Sequence, residues 1–311
     1  MSKVNQIIDN MEKIIVGKRD VINKLIIALL TNGHVLIEDV PGVGKTQCVG
    51  SLAKSVKGTF NRIQFTPDVM ASDITGFTMY NPNEGKFEYK EGGVNCNFLL
   101  GDEINRASSK TQSSLLEVME ERQVTVDGVT RKVPEPFMVL ATQNPIESRG
   151  TNKLPEAQMD RFLFRLSIGY PTREGEKEIL NRFAGENILN KLEPVSSSED
   201  IIRMQKEVEN IKVSEEIKDL IVTIVFKTRN NTFIELGASP RGSLAILKAS
   251  KALAYINDRD YVIPDDVVEI SKDVLAHRII LSSNAKVKGM TEREVLKDIV
   301  DESLTTVSKV L

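Results

Sequence analysis

His34-Val35-Leu36-Ile37-Glu38-Asp39-Val40-Pro41-Gly42-Val43-Gly44-Lys45-Thr46 is a short apolar run that enters a glycine-containing turn and leaves it on a lysine and a threonine. His34 to Glu38 has the length and continuous apolarity of a strand buried on both faces of a parallel sheet. Asp39 to Gly44 then turns the chain sharply, and Lys45-Thr46 opens a helix. In such a turn the backbone N–H groups converge on phosphate oxygens, and the helix N-terminus adds favourable partial charge. Lys45 is placed to reach terminal phosphates and the Thr46 hydroxyl to meet Mg2+. The expected phosphate cradle is Asp39 with Pro41, Gly42, Val43, Gly44, Lys45, Thr46 and Gln47. One departure stands out: the strict P-loop pattern begins with glycine, and this chain has Asp39 there.

Composition bounds the rest. At 311 residues the chain exceeds the size at which one hydrophobic core stops growing, so two lobes are expected. A net charge of -3 argues against a surface built to coat nucleic acid, while leaving room for a local basic channel. Aromatic residues make up 5% with no tryptophan, so no base-stacking platform is advertised. No apolar run reaches membrane-span length, and the start MSKVNQII lacks a signal-peptide layout. Cys48 and Cys96 are too few for a disulfide framework and point to a reducing, cytoplasmic setting. His34 and His277 have no second histidine or cysteine at ligand spacing, so no transition-metal site is expected. Cys48 is read as a small buried residue, and Arg203 to Glu209 as a solvated helix face.

From 34 to 170 the pattern alternates. Arg62 to Thr66, Asn97 to Asp102, Phe137 to Thr142 and Phe162 to Ile168 are short apolar strand candidates. Gln47 to Val56 and Lys110 to Arg122 carry helical spacing. That alternation predicts an α/β fold, a parallel sheet flanked by helices. Gln123 to Val133, alternating about Asp127-Gly128, predicts a β-hairpin, and Phe77 to Tyr89 a second hairpin or insertion. After Tyr170-Pro171-Thr172 strands are expected to stop. Glu174 to Phe183, Ser198 to Glu209, Glu215 to Lys227, Pro240 to Ile256 and Pro264 to Leu281 read as helices, several preceded by Ser or Asp caps. The expected division is an α/β nucleotide-binding core over 1–170 and a helical lid domain over 171–311.

Phe98-Leu99-Leu100-Gly101-Asp102-Glu103 supplies the other half of a nucleotide site. A strand ending in acids at its C-terminal edge places them beside the phosphates in a parallel sheet. Asp102 is expected to hold Mg2+, and Glu103 to accept a proton from an attacking water.

Longer strings then identify a relationship. Asp102-Glu103-Ile104-Asn105-Arg106-Ala107, Lys110-Thr111-Gln112-Ser113 and Leu115 to Glu121 resemble the MoxR family of AAA+ ATPases. So do Ile63-Gln64-Phe65-Thr66-Pro67-Asp68, Ala141-Thr142-Gln143-Asn144-Pro145, Leu154 to Phe162 and Ser239-Pro240-Arg241. The resemblance runs from Ile15-Val16-Gly17-Lys18 to near Ile280. It implies an AAA+ P-loop core with a five-stranded parallel sheet and a C-terminal all-α lid domain. Asp39 fits it, because members often carry Glu-Asp-x-Pro-Gly-x-Gly-Lys-Thr. By the same resemblance Asn144 is the polar sensor of the attacking water, and Arg161 an arginine finger reaching a neighbouring subunit. Arg241 is the sensor arginine acting in cis, and Val16 and Gly17 line the adenine pocket. A neutral amide at Asn144 can both accept from water and donate to phosphate, and the guanidinium fork of Arg241 suits phosphate. Arg149, where relatives tend to be acidic, is read as a solvated loop charge, with a second interface cation as the alternative.

The implied protein is a ring-forming Mg-ATP hydrolase, a hexamer by family expectation. Its work would be chaperone-like remodelling or metal or cofactor loading of a client, often with a von Willebrand factor A-domain partner. The two hairpins are the expected client contacts. A nucleic-acid motor, for which Arg131-Lys132 could touch phosphates, and a non-hydrolysing scaffold are the alternatives. The -3 charge weighs against the first and the filled catalytic positions against the second.

Overall fold

The computed structural model describes residues 2–144, 152, 154–183 and 188–307. These divide into two compact units, Met1–Leu154 with Leu166–Ile202, and Pro155–Arg165 with Arg203–Leu311.

In chain order the strands are β1 (Val35–Glu38), β2 (Phe60–Gln64), β3 (Phe77–Asn81), β4 (Lys86–Lys90), β5 (Phe98–Asp102), β6 (Gln123–Val126), β7 (Val129–Lys132), β8 (Met138–Gln143), β9 (Phe164–Leu166), β10 (Ile234–Leu236) and β11 (Ile280–Leu281). A five-stranded sheet is ordered β2-β5-β8-β1-β9. The β2/β5, β5/β8 and β1/β8 pairs are parallel. Val35, Leu36 and Ile37 of β1, Phe98 to Leu100 of β5 and Met138 to Ala141 of β8 have no exposed surface. That is the continuous apolar pattern a parallel sheet covered on both faces requires. β2 is instead largely exposed and carries Asn61, Arg62 and Gln64, as suits an edge strand. Gly101 in β5 answers a packing constraint, since a Cβ there would lie 3.1 Å from the Phe65 ring.

The register brings the polar strand ends to one edge: Gln64 pairs with Asp102 and Glu38 with Gln143. β1 lies between β8 and β9 while the next strand in the chain lies at the far edge. The loop after β1 therefore opens where connections diverge, the place parallel sheets bind ligands.

Both expected hairpins form. β3 and β4 pair antiparallel from Phe77 with Lys90 to Asn81 with Lys86. β6 and β7 close on Asp127-Gly128, both at positive φ, the two-residue turn an Asp-Gly pair favours. The Arg131 guanidinium of β7 lies 3.9 Å from the centre of the Tyr89 ring of β4, joining the hairpins by a cation–π contact.

The second unit is built on helices Glu215–Arg229, Pro240–Ile256, Pro264–Leu275 and Glu292–Val307. Ser214 and Ser239 cap the first two through their side chains. Two expectations change here. Strands do not stop at 172, because β10 and β11 form a small antiparallel ribbon. The helix expected over Pro264 to Leu281 also ends at Leu275. Apolar residues continue past that point, but the Arg278 side chain is drawn onto Asp160 and nearby carbonyls, and the Ser282 N–H pairs with the Phe233 carbonyl. Tertiary bonding overrides the local helical pattern.

Candidate nucleotide-binding site

A cavity of about 740 Å³ opens at the polar edge of the sheet, within the first unit. It is lined by Pro41 to Gln47, by Asp102, Glu103 and Asn144, and by apolar residues that include Ile14 to Val16, Ile168 and Ile179. Gly42 and Gly44 adopt φ of 88° and 89°, the left-handed region that glycine enters without strain. Gly44 is the N-cap of the Lys45–Ser55 helix. The backbone is thus turned as a phosphate cradle needs.

Asp39 does not line the cavity; it is buried behind it. Its Oδ1 accepts from Ser167 Oγ at 2.9 Å and from Gly169 N at 3.2 Å, and its Oδ2 accepts from Ile168 N. Its carbonyl accepts from Lys45 Nζ at 2.8 Å. Asp39 therefore ties the glycine turn to the 167–169 segment, whose Ile168 and Gly169 help line the same cavity.

The acidic pair is held by a residue that sequence reasoning did not single out. Thr142 of β8, fully buried, donates its hydroxyl to Asp102 Oδ1 at 2.5 Å and accepts from the Glu103 N–H at 3.0 Å. Glu103 stands at φ 58°, ψ 48°, a left-handed conformation costly for a side-chain-bearing residue and concentrated at functional sites. Its Oε2 accepts from Gln64 Nε2 at 2.9 Å and pairs with Arg106 Nε at 3.0 Å. Arg62 Nη2 pairs with Asp102 Oδ2 at 2.6 Å. Arg62 and Gln64 are cavity residues absent from the sequence prediction. Their signal was two polar side chains at alternate positions of a strand next to the acidic one.

Of the remaining expected residues, Val16 and the buried Asn144 line the cavity. Gly17 turns the chain between Val16 and Lys18 at φ 67°. Lys18, Tyr170 and Pro171 also line the cavity, with Lys18 Nζ donating to the Tyr170 carbonyl at 2.8 Å. Arg161 and Arg241 belong to the second unit, one in the turn after the Glu156–Met159 helix and the other in the first turn of Pro240–Ile256. Arg149 lies outside the described residues.

The side candidates resolve as structure. Cys48 is fully buried, and burial pushes its thiol up to about 12, far from a reactive thiolate. His34 Nδ1 accepts from Val139 N at 2.9 Å, so Nε2 carries the hydrogen that meets the Met119 carbonyl at 3.0 Å. Burial, reinforced by Arg122, pushes this imidazole down to about 3.

The AAA profile of the ATPase family associated with various cellular activities matches residues 34–164, and an AAA lid domain profile matches 226–299. The chain is 49% identical to YeaC of Bacillus subtilis over 293 residues, covering 94% of this chain and 92% of YeaC. It is 44% identical to the chaperone MoxR1 of Mycobacterium tuberculosis over 299 residues, covering 93% of this chain and 79% of that one. It belongs to the MoxR family of AAA+ ATPases. The crystal structure of a proposed ATPase from Cytophaga hutchinsonii superposes with a TM-score of 0.90 at 40% identity, covering 96% of this chain and 93% of that one.

Membership in this AAA+ family implies that the protein binds a nucleotide. The donor set also fits the Mg2+ that such nucleotides carry, since a hydroxyl at Thr46 and a carboxylate at Asp102 are hard oxygen ligands on one cavity. Among the described residues no group of three or more His, Cys, Asp or Glu forms a metal site by itself. Two protein oxygens are the usual protein share for Mg2+ on nucleotide phosphates. No described helix is long and apolar enough to cross a membrane.

Proposed function

We propose that the protein hydrolyses Mg-ATP at this cavity, within a ring, and uses the cycle to remodel or mature a partner protein. The observation that carries the reading is that the Asp102–Glu103 pair, held on Thr142, lines the same cavity as the Gly42–Thr46 turn. The glycine turn offers backbone N–H groups to phosphate oxygens, and Lys45 adds a positive charge. Thr46 and Asp102 would hold the metal, which would supply positive charge against the negative charge that builds during phosphoryl transfer. Glu103 takes the proton of the attacking water, and Asn144 orients that water with its amide. Arg241 serves the phosphate of its own subunit, and Arg161 that of a neighbour. An arginine supplied in trans contributes about three to five orders of magnitude in related NTPases.

The chaperone reading is supported by the name of the Mycobacterium tuberculosis relative. A cytoplasmic hexamer acting with a von Willebrand factor A-domain protein, with metal or cofactor insertion as one outcome, is the form to test first. The paired hairpins, which expose Phe77, Met79, Tyr80 and Phe87, are the proposed client surface.

Glu103→Gln is the decisive variant. It should retain ATP and Mg2+ while turnover falls by about 10²–10⁴-fold, the range for loss of a positioned base. Incubated with ATP and recovered from cell extract, it should hold both the assembled ring and its client. Unchanged turnover in Glu103→Gln would remove the catalytic assignment. ATPase stimulation by DNA, lost as salt rises, would favour the motor alternative.

A further inference from the structure

The sequence separates Arg161 from Arg241 by a long stretch of chain, yet one carboxylate joins the segments that carry them. Asp160, immediately before Arg161, accepts from Ser239 Oγ at 2.8 Å through Oδ2. The same Ser239 hydroxyl oxygen caps the next helix by accepting from the Arg241 N–H at 3.1 Å. On its other side Asp160 Oδ1 accepts from Arg278 Nε at 2.7 Å. The buried Arg278 fork continues along the same strand entry, Nη2 donating to the Phe162 carbonyl at 2.7 Å and Nη1 to the Leu163 carbonyl at 3.1 Å. All of these residues lie in the second unit.

The geometry points to Asp160, Ser239 and Arg278 as positioning residues that lock Arg161 and Arg241 into one body, so that the arginine serving its own subunit and the arginine offered to the next subunit move together. The inference rests on the roles proposed above for those two arginines. Its physical basis is the strength and burial of the joint. Arg278 is buried, and burial pushes its guanidinium down to about 10 against the opposing pull of Asp160. A cation there is tolerable only while the carboxylate and carbonyls stay in place. The Asp160 carboxylate is therefore fixed, and through one shared hydroxyl it fixes the first turn that presents Arg241. The Ser239 oxygen both donates and accepts, so neither segment can shift alone without breaking a bond of the other. A ring in which one subunit's closure on ATP is passed to its neighbour needs such a rigid link between the two arginines.

Ser239→Ala tests the joint with the smallest change, and Ser239→Thr, which keeps the hydroxyl and the cap, is its rescue. Amide hydrogen exchange is measured on the full-length protein without nucleotide. Ser239→Ala should raise exchange at 160–163 and at 241–243 together by about tenfold, with Ser239→Thr near the parent. Faster exchange at 241–243 alone would show a lost helix cap and nothing more, and would overturn the joint. On the assembled protein, kcat of Ser239→Ala should fall by about tenfold or more, as expected when catalytic groups are misplaced by a fraction of an ångström. Affinity for ATP should change by less than about twofold, because the Gly42–Thr46 turn is untouched, and Ser239→Thr should restore kcat. Coupled loss of protection with unchanged turnover would keep the joint and overturn the catalytic roles of the two arginines. A fall in affinity with unchanged kcat would overturn the positioning role.

Discussion

Asp39→Asn is the substitution whose outcome the structure fixes most tightly. Asp39 is buried and uses both carboxylate oxygens, Oδ1 for Ser167 and Gly169 and Oδ2 for Ile168. Asparagine of the same shape keeps one carbonyl oxygen, enough for Ser167 and Gly169. Its NH2 group then faces the Ile168 N–H, donor against donor. The loss is one charge-assisted bond plus a buried unpaired N–H, about 2–4 kcal/mol. Asp39→Ala leaves the Ile168 and Gly169 N–H groups both unpaired and should cost about 3–5 kcal/mol on the same scale. Glycine, which the strict phosphate-loop pattern has here, should behave like alanine. Urea unfolding followed by far-UV circular dichroism gives the stability of each variant, and a fluorescent ATP analogue gives the affinity. Because Ile168 and Gly169 line the cavity, affinity should fall together with stability. If Asp39→Asn unfolds within about 0.5 kcal/mol of the parent, the carboxylate is not the tie described, and Asp39 would have to act on nucleotide directly.

Gly44→Ala forces an alanine to φ 89° at the N-cap of the phosphate helix. It should cost about 1–2 kcal/mol and weaken ATP binding about tenfold, read by calorimetry; unchanged binding would mean the turn tolerates a side chain. Arg62→Gln removes the half-exposed partner of Asp102, an ion pair worth about 0.4–1 kcal/mol after screening. Binding of Mn2+ to the nucleotide-free protein, followed by electron paramagnetic resonance, should then tighten by about two- to fivefold, whereas no change would mean Arg62 does not compete for that carboxylate. His34 binds its proton near pH 3 when folded and near 6.5 when unfolded, so the unfolded chain takes up more protons between those values. Stability from His34 is complete above 6.5 and drains as pH falls toward 3. Between pH 7.5 and 5 the parent should lose about 2 kcal/mol more than His34→Gln in urea titrations, and parallel pH curves would refute the buried neutral imidazole.

Much of this protein is local in its logic, and the sequence alone carries that part. The run from His34 to Thr46 specifies strand, turn and helix because apolar continuity, left-handed glycines and a helix-opening lysine act over a few residues. Asp127-Gly128 specifies its hairpin for the same reason. Asp102 and Glu103 are legible because a strand end defines where they point. Tertiary structure decides what depends on neighbours distant in the chain. It turns Asp39 from a phosphate ligand into a tie to 167–169, and sets Thr142 beneath both acids. It adds Arg62 and Gln64 from an edge strand, ends a helix at Leu275 to form the β10/β11 ribbon, and brings Asp160 to Ser239 and Arg278. Each of these rests on a hydrogen bond or ion pair between groups far apart in sequence, a side chain with a side chain, a side chain with the backbone, or two backbone strands. Spacing and periodicity report which face a residue occupies, whereas partners across strands are chosen by register and packing.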